Sequence, residues 1–478
     1  DAADILNNTA STSRKILTYD DQAASNPKGL AFRFSDLNPA QQAAMNTDAD
    51  GNPDTEGANR TAYIRGSNAD ESPNGLGYRP RTTPLGDIMN SEPIFVGAPP
   101  FDYPDDLEGA NGQTYSTFKL SAIKDRTPVV YVGANDGMLH GFDASVAADN
   151  TPTASSGQEV IAYVPNKLIS KLSQLTDPDY RHQTYVDASP IAGDIYTSSD
   201  TWTTLLAGTL GRGGQGLYGL DVTDPSGFSE SNLHTVLWEF TDEDDADLGY
   251  VYGRPAIVRM ASGTWAVVTG NGYNNTEVDG AASTTGNAVL FIIDAETGAL
   301  IKKIDTCTTD TVENDDTCVG NGTVATPNAI AAPAPVDFDG DHIIDIIYAG
   351  DLNGNLWKFD VRNSDKAQWT ASKLFSAVDA NGNPQPITTQ VEVSRHLTLD
   401  GFMVYFGTGK YLEPDDTDPT GAITQTFYGF WDDLSGNAVS RNNDLHVQTI
   451  LAEIDNPDDS NEACLLYTSD AADDYLTV

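Results

Sequence analysis

Positively charged residues are scarce in this sequence. The 478 residues include 26 lysines and arginines against 70 aspartates and glutamates, so the formal net charge at pH 7 is −44. A surface with this charge repels nucleic-acid phosphates and anionic lipid headgroups, which argues against binding either of them through bulk electrostatics. The composition instead suits an exported, soluble surface that holds divalent cations.

Long apolar runs and long amphipathic periods are also missing. No stretch approaches the roughly 18 uninterrupted apolar residues of a membrane-spanning helix, and no long segment sustains the 3.6-residue period of an α-helix. Short apolar runs flanked by turn residues dominate, in a chain with 42 glycines and 25 prolines. The pattern predicts an all-β protein without a membrane span, and we expect any export signal to lie upstream.

Cysteine is rare, with three residues in the chain. Cys307 and Cys318 bracket a polar, acidic loop, which a disulfide would restrain in the oxidising conditions that an exported chain meets. Two free thiols are the alternative, because spacing alone does not establish disulfide geometry. Residues 464–478 contain a stretch that resembles a translated sequencing adaptor, and Asp-Ala-Ala-Asp occurs both there and at residues 1–4. We therefore treat both ends as adaptor-like, non-native sequence.

One short acidic stretch, residues 337–345, has the residue pattern of a calcium loop. It reads Asp-Phe-Asp-Gly-Asp-His-Ile-Ile-Asp, with carboxylates at its positions 1, 3, 5 and 9. Hard cations prefer several oxygen ligands at once, and carboxylates packed this closely repel one another unless a cation lies among them. The predicted ligands are four side chains and one backbone carbonyl: Asp337, Asp339, Asp341, the carbonyl of Ile343, and Asp345.

This stretch departs from an EF-hand in two ways. Glycine falls at position 4, as Gly340, and position 12 is Tyr348 rather than a bidentate glutamate. The run of β-branched and aromatic residues that follows predicts a strand after the loop rather than a helix. An ordinary acidic surface turn is the alternative interpretation.

From residue 86 the sequence becomes repetitive, after a polar, loop-rich lead-in at residues 5–85. Residues 131–143 and 348–360 each read as a strand, an Asp-Gly or Asn-Gly turn suited to a type I′ hairpin, and a second strand that ends in Phe-Asp. Looser copies end in aspartates, so that the strand-ending aspartates fall at 143, 221, 294, 360 and 432. A near-constant period indicates repeated small sheets arranged radially, and we predict a β-propeller over residues 86–463.

Several motifs, in this order along the chain, resemble one known family. They lie at residues 85–93, 131–143, 248–250, 270–273, 337–345, 350–360, 407–412 and 427–432. The sequence resembles the C-terminal propeller of the PilY/PilC family of type IV pilus tip-associated adhesins and biogenesis factors. The family's domain is a modified β-propeller of the quinoprotein alcohol dehydrogenase-like kind.

The resemblance implies an exported protein of the periplasm, the outer membrane surface or the pilus tip. It would support pilus assembly, surface adhesion and twitching motility, with major and minor pilins and host or abiotic surfaces as partners. Calcium in the propeller would modulate these activities, and the family's metal positions fall on Asp337, Asp339, Asp341, Ile343 and Asp345. The family's upstream von Willebrand-A-like region has no counterpart in these residues.

Enzymatic constellations are not evident. The glycine-rich stretch at 211–216 has dinucleotide-binding spacing but leads into a strand pattern, whereas a pyrophosphate needs a helix N-terminus. The six histidines lack metal-ligand spacing, and no adjacent cysteine pair of the quinoprotein dehydrogenase kind occurs. We expect a protein that is not an enzyme. A pyrroloquinoline-quinone-type dehydrogenase propeller and an integrin-like calcium-stabilised adhesion propeller are the alternatives.

Overall fold

The computed structural model describes residues 1–108, 112–277, 279–307, 322–418, 420, 423–448, 450–455 and 463–467. Helices are short and few within these residues. They are α1 (Ala2–Asn7), α2 (Pro39–Met45), α3 (Gly57–Ile64), α4 (Tyr115–Lys119) and α5 (Arg441–Asp444), together with a longer 3₁₀ segment, Asn166–Thr176. Strands dominate, so the predicted all-β class is confirmed.

The first sheet, blade 1, has six strands. They are β1 (Ile16–Tyr19), β2 (Gly29–Ala31), β3 (Ile94–Val96), β4 (Val129–Ala134), β5 (Met138–Asp143) and β6 (Glu159–Val164). Their spatial order is β2-β1-β6-β5-β4-β3. The strands from β3 to β6 form an antiparallel meander, whereas β1 pairs with β6 in parallel.

Three four-stranded antiparallel sheets follow. Blade 2 contains β7 (Ile191–Tyr196), β8 (Trp202–Thr209), β9 (Gly216–Asp221) and β10 (Val236–Thr241). Blade 3 contains β11 (Ala256–Arg259), β12 (Trp265–Gly270), β13 (Val289–Asp294) and β14 (Leu300–Asp305). Blade 4 contains β15 (Ala334–Val336), β16 (Ile346–Gly350), β17 (Asn355–Asp360) and β18 (Thr370–Ser376).

Blade 5 has three strands, and a two-stranded hairpin follows it. The strands of blade 5 are β19 (Glu392–Arg395), β20 (Phe402–Gly407) and β21 (Phe427–Asp432), and the hairpin pairs β22 (Ile450–Asp455) with β23 (Ala463–Tyr467). In blades 2 to 5 the strands follow one another in sequence order, as do β3 to β6 in blade 1, where β1 and β2 then continue the sheet beyond β6.

The sheets are arranged radially. The first strands of consecutive blades (β3, β7, β11, β15 and β19) lie next to one another in that order. Separate apolar clusters fill the spaces between blades 1 and 2, 2 and 3, 3 and 4, and 4 and 5. Blades 2, 3 and 4 therefore bury both faces against neighbouring blades, which is the packing of a β-propeller, and the predicted fold is confirmed.

The five predicted aspartates mark the same structural position in every blade. Each is the last residue of the third strand of its meander, namely Asp143, Asp221, Asp294, Asp360 and Asp432. The predicted type I′ turns are wrong. The connections are residues 135–137 and 351–354, and in each of them only the last residue, Gly137 or Gly354, has a positive φ. These loops are longer than two residues, so a single left-handed glycine closes them.

The lead-in has more regular structure than its sequence indicated. It contains α1, α2 and α3, and its strands β1 and β2 extend the sheet of blade 1. The helix α1 begins within residues 1–4, where Asp1 accepts the Asp4 backbone N–H, and Leu6 packs against Val132 and Phe142 of blade 1. The adaptor interpretation of both ends stays a prediction. Cys307 is disulfide-bonded, whereas its predicted partner Cys318 lies outside the described residues.

A buried ionic network joins the lead-in to blade 1. Arg14 donates from Nε and Nη2 to the two carboxylate oxygens of Glu159, at 2.7 Å each. His140 lies between two acids, with Nδ1 2.7 Å from Glu159 and Nε2 3.0 Å from Asp136. Burial lowers the pKa of His140, but the carboxylates of Asp136 and Glu159 outweigh it and raise that pKa to about 9. His140 is therefore a buried cation at neutral pH.

Stability should fall as the pH rises through the raised pKa of His140. The stabilisation is complete below the ordinary histidine pKa of about 6.5 and is lost as the pH approaches about 9. We expect a decrease of about 3 kcal/mol in the unfolding free energy over this interval, measured by urea unfolding at several pH values. His140→Gln should flatten the profile, whereas His182→Gln, which removes a half-exposed partner of Asp87, should leave it unchanged. Equal profiles for wild type and His140→Gln would contradict this assignment.

Blade 5 is held against blade 4 by a buried aspartate. Asp432 Oδ2 accepts hydrogen bonds from the Tyr348 hydroxyl at 2.6 Å and from Lys358 Nζ at 2.7 Å, and Asp432 is only 2% exposed. Asp432→Ala would leave a buried hydroxyl and an ammonium group without this partner, so we expect a loss of about 2 kcal/mol in unfolding free energy. The neighbouring exposed residue provides a control, since Asp433→Ala should cost less than about 0.5 kcal/mol. Equal losses would refute the assignment.

Candidate metal centre

The acidic loop, residues 337–345, connects β15 to β16 in blade 4. Its turn is built by the first aspartate, whose Oδ1 accepts the Gly340 N–H at 2.6 Å and whose Oδ2 accepts the His342 N–H at 2.8 Å. Gly340 and His342 both have positive φ, at 85° and 67°. Asp337 therefore folds the chain back on itself between two strands, and the predicted strand after the loop is present as β16.

Three of the predicted carboxylates converge. Asp337, Asp339 and Asp345 each offer an oxygen within 4.8 Å of the other two. Asp345 lies at the far end of the loop, and its Oδ2 accepts the Phe338 N–H at 2.7 Å, which brings the two ends together. Oxygen donors that approach from both ends of a short loop form a donor set suited to a hard divalent cation.

The fourth predicted carboxylate, that of Asp341, is placed differently. The carboxylate of Asp341 is not part of the converging group; its Oδ1 accepts the Ile343 N–H at 2.8 Å. The Asp341 backbone N–H in turn donates to Asp339 Oδ1 at 3.2 Å. Successive carboxylates thus cap the backbone of the loop, and Asp341 would have to rotate away from Ile343 to reach a cation among the other three.

The electrostatics of the loop favour a bound cation. Burial raises the pKa of Asp345, and the nearby charges of Asp339, Asp341 and Asp337 raise it further, against the lowering effect of the Phe338 N–H. A raised carboxyl pKa means that this environment disfavours the ionised form of Asp345 relative to a carboxylate in water. A divalent cation among these oxygens would remove that penalty, and the donor set therefore fits calcium.

The alternating side chains of the loop reach other parts of the molecule, which the sequence did not indicate. The Phe338 ring lies 6.0 Å from the Phe402 ring, centroid to centroid, and the His342 ring lies 5.5 Å from the Tyr103 ring. Tyr103 belongs to the connection between β3 and β4, far away in sequence. Alternation of loop residues could have suggested that the even positions face outward, but nothing local identifies their partners.

Two other motifs are accounted for by structure alone. The glycine-rich stretch at 211–216 begins with a 3₁₀ turn, Gly211–Gly213, after β8 and ends at the first residue of β9, so it leads into a strand as the sequence predicted. The acidic residues 242–247 are largely engaged: Lys303 Nζ lies 2.9 Å from carboxylate oxygens of both Asp245 and Asp247. Neither region presents a second cluster of metal-ligating groups among the residues that the structure describes.

Several known proteins are similar to this chain in sequence, and one solved structure is also similar in fold. The PilY1 C-terminal domain of Pseudomonas aeruginosa, in its crystal structure, superposes with a TM-score of 0.61 at 32% identity, covering 79% of this chain and 73% of that one. The type IV pilus biogenesis factor PilY1 of P. aeruginosa strain PAK is 38% identical over 449 residues, which cover 88% of this chain and 34% of the relative. A PilY1 homolog of Xylella fastidiosa strain Temecula1 is 36% identical over 412 residues, 83% of this chain and 26% of the relative.

The chain spans about a third or less of the length of these two curated relatives. In the described part of the chain, none of the helices has the length and apolar character needed to cross a membrane. The family model of the PilY1 β-propeller domain matches residues 85–460, which include the β3–β6 meander of blade 1 and all of blades 2 to 5. This chain therefore belongs to the PilY1 β-propeller domain family.

Proposed function

We propose that this chain is the calcium-binding β-propeller of an exported type IV pilus assembly and tip adhesin protein. In this role it supports pilus biogenesis, surface adhesion and twitching motility. The match to the PilY1 propeller domain over residues 85–460 carries the proposal. The relatives are named pilus biogenesis factors rather than enzymes, which fits a role in assembly rather than catalysis.

Calcium is the cofactor of this proposal. Asp337, Asp339 and Asp345 supply three convergent carboxylates, and we assign Asp341 and the Ile343 carbonyl to the same site because they occupy the intervening odd positions of the loop. Bound calcium would supply positive charge that neutralises the cluster. The protein's own part is to hold the loop between β15 and β16, where Asp337 fixes the turn through the N–H groups of Gly340 and His342.

The proposed location is outside the cytoplasm, in the periplasm, at the outer membrane surface or at the pilus tip. The disulfide at Cys307 supports it, because disulfides persist in oxidising compartments. The net charge of −44 supports partners that are not nucleic acids. We propose the major and minor pilins as partners, together with host or abiotic surfaces.

Capture of pilins tests this function. Immobilised wild-type protein should retain purified pilin or minor pilin subunits in millimolar calcium, and the retained amount should fall in excess chelator, since an ordered acidic loop stabilises blade 4. Quantitative blotting of the eluate is the measurement. The relevant control is Asp379→Ala, which alters a different loop with a single aspartate. The Asp379 carboxylate accepts the N–H groups of Asn381 and Asn383, and its loss should leave capture unchanged. Equal background retention with every subunit would count against the pilin proposal.

A further inference from the structure

The acidic loop faces two ways. Its odd positions carry the proposed ligands, whereas three even positions contact three other parts of the protein. Phe338 touches blade 5, His342 touches Tyr103 in the β3–β4 connection, and the Ile344 N–H donates to the Arg259 carbonyl of blade 3 at 2.9 Å. A cation that orders the odd positions would therefore also restrict the even positions, because adjacent residues share one backbone.

The Phe338 backbone links a proposed ligand directly to the next blade. Its N–H donates to Asp345 Oδ2 at 2.7 Å, and its carbonyl oxygen accepts a hydrogen bond from Arg395 Nη2. Arg395 ends β19 and pairs in register with Phe402 at the start of β20. The Phe338 ring rests near the ring of Phe402 at an interplanar angle of 69°. One residue of the loop thus contacts both strands of a blade 5 hairpin at the point where they diverge.

Beyond that point lies the blade 5 tip, residues 396–401, which exposes apolar side chains. Leu397 is 97% exposed and Leu399 is 50% exposed. The tip is closed by the His396 N–H donating to the Gly401 carbonyl at 3.1 Å. It also packs on Trp431, whose ring lies 5.3 Å from the His396 ring and whose Nε1 donates to the Asp400 carbonyl at 2.8 Å.

The other end of the loop is anchored. Ile344 is held to blade 3 through its backbone, and the Asp345 N–H donates to the Val336 carbonyl at 3.0 Å, while Val361 donates to the Asp345 carbonyl at 2.9 Å. These bonds fix residues 344–345 within the framework of blades 3 and 4. Rearrangement on cation binding is therefore directed to the first half of the loop, which carries Phe338.

We propose that Phe338 and Arg395 couple cation occupancy of the acidic loop to the conformation of the blade 5 tip. The inference rests on the proposed cation site. Without a cation, the repelling carboxylates loosen the Phe338 peptide and with it the support for Arg395. With a cation, Asp337 and Asp345 are fixed and Phe338 is held against Phe402. The tip is then ordered, and Leu397 and Leu399 stay exposed on it. Phe338 and Arg395 are positioning residues, since they act through the ligands and not on the cation.

Coupling of this kind is reciprocal, so the contact must also raise the cation affinity. A single aromatic contact contributes about 0.5 to 1.5 kcal/mol, which corresponds to a change of about 2-fold to 10-fold in Kd. Phe338→Ala retains every proposed ligand. It should weaken calcium binding by no more than this factor in calorimetric titration, while a loss of ligands would weaken it far more.

Two readouts follow the tip itself. Trp431 is partly exposed, whereas the other five tryptophans are buried. Tryptophan emission is therefore measured with and without calcium in wild type and in Trp431→Phe, and the part of the change that Trp431→Phe lacks reports on the tip. Hydrogen exchange of residues 395–402 reports on its backbone. In wild type, saturating calcium should slow this exchange about tenfold and shift the Trp431 emission. Phe338→Ala removes the ring but keeps the backbone bonds to Asp345 and Arg395, so it should reduce both changes at saturating calcium, and Phe338→Ala combined with Arg395→Gln should abolish them. Phe427→Ala, an exposed aromatic change on the same blade, should behave as wild type.

The outcomes separate the two proposals. Absence of calcium binding to wild-type protein in calorimetry would overturn the proposed cation site and the coupling with it. Calcium binding without a change at residues 395–402 or in Trp431 emission would overturn the coupling alone. A wild-type response in the double variant Phe338→Ala/Arg395→Gln would also overturn it, because neither contact would then carry the signal.

Discussion

Replacing Asp337 with alanine is expected to abolish the calcium-dependent rise in melting temperature while leaving the propeller folded. A cation that binds only the folded protein stabilises it by RT ln(1 + [L]/Kd), or about 2.7 kcal/mol when calcium is a hundredfold above Kd. For a propeller of about 400 residues this corresponds to a rise of about 3 °C. Because the site lacks a bidentate glutamate at position 12, we expect a Kd on the order of 10⁻⁶ to 10⁻⁴ M.

The loss in Asp337→Ala has two causes. The substitution removes a ligand, and it removes the acceptor of the Gly340 and His342 N–H groups that form the turn. Scanning calorimetry with calcium and with chelator gives the increment for each variant. Asp379→Ala is the matched control, because it also removes a turn-capping aspartate from a loop next to blade 5 but should keep the full increment.

A second variant separates charge from coordination. Asp345→Lys places an ammonium group beside Asp337 and Asp339, which would offset their repulsion while excluding the ion. Asp345→Lys should also lose the calcium-dependent rise in melting temperature. Pilus behaviour, such as twitching motility, should then no longer change with the calcium concentration. An undiminished increment in both variants, or no increment in wild type, would mean that residues 337–345 are an ordinary acidic turn.

Replacing Glu159 with alanine is expected to cost about 3 to 5 kcal/mol of unfolding free energy, the largest effect among these predictions. Glu159 is held ionised: burial raises its pKa, but Arg14 and His140 overcome this and lower the pKa to about 2. Its side chain is 3% exposed and that of Arg14 is 1% exposed. Without the carboxylate, the Arg14 guanidinium stays buried with one fewer partner, which is the costly case for a buried ion pair.

The damage should be local before it is global. Arg14 lies just before β1, and Glu159 is the first residue of β6, its parallel partner. Urea unfolding should show the lowered stability, and hydrogen exchange should show early loss of protection in β1. Arg14→Met combined with Glu159→Gln removes both charges and should recover much of the loss. Glu92→Ala breaks an exposed pair with Arg254 and should have little effect; a similarly small effect of Glu159→Ala would contradict the prediction.

The strand framework and the acidic loop could be predicted from the sequence because both depend on local patterns. Alternating apolar residues, turn glycines and strand-ending aspartates recur within each blade, so the last residues of five third strands could be named in advance. The loop is equally local, since the spacing of Asp337, Asp339 and Asp345 within nine residues already brings their carboxylates together. The predicted type I′ turns were wrong because the number of residues in a hairpin loop depends on where the hydrogen-bonded pairing of its two strands stops.

Only the tertiary structure decided which distant groups meet. Arg14 pairs with Glu159 across 145 residues, and Arg395 reaches the Phe338 carbonyl across 57. An apolar or charged pattern indicates that a residue needs a partner but does not identify it. The partner depends on the order and packing of the sheets. The sequence by itself therefore determined a propeller with an acidic loop in its fourth blade. The fold decided that the lead-in completes blade 1 and that the loop rests against blade 5.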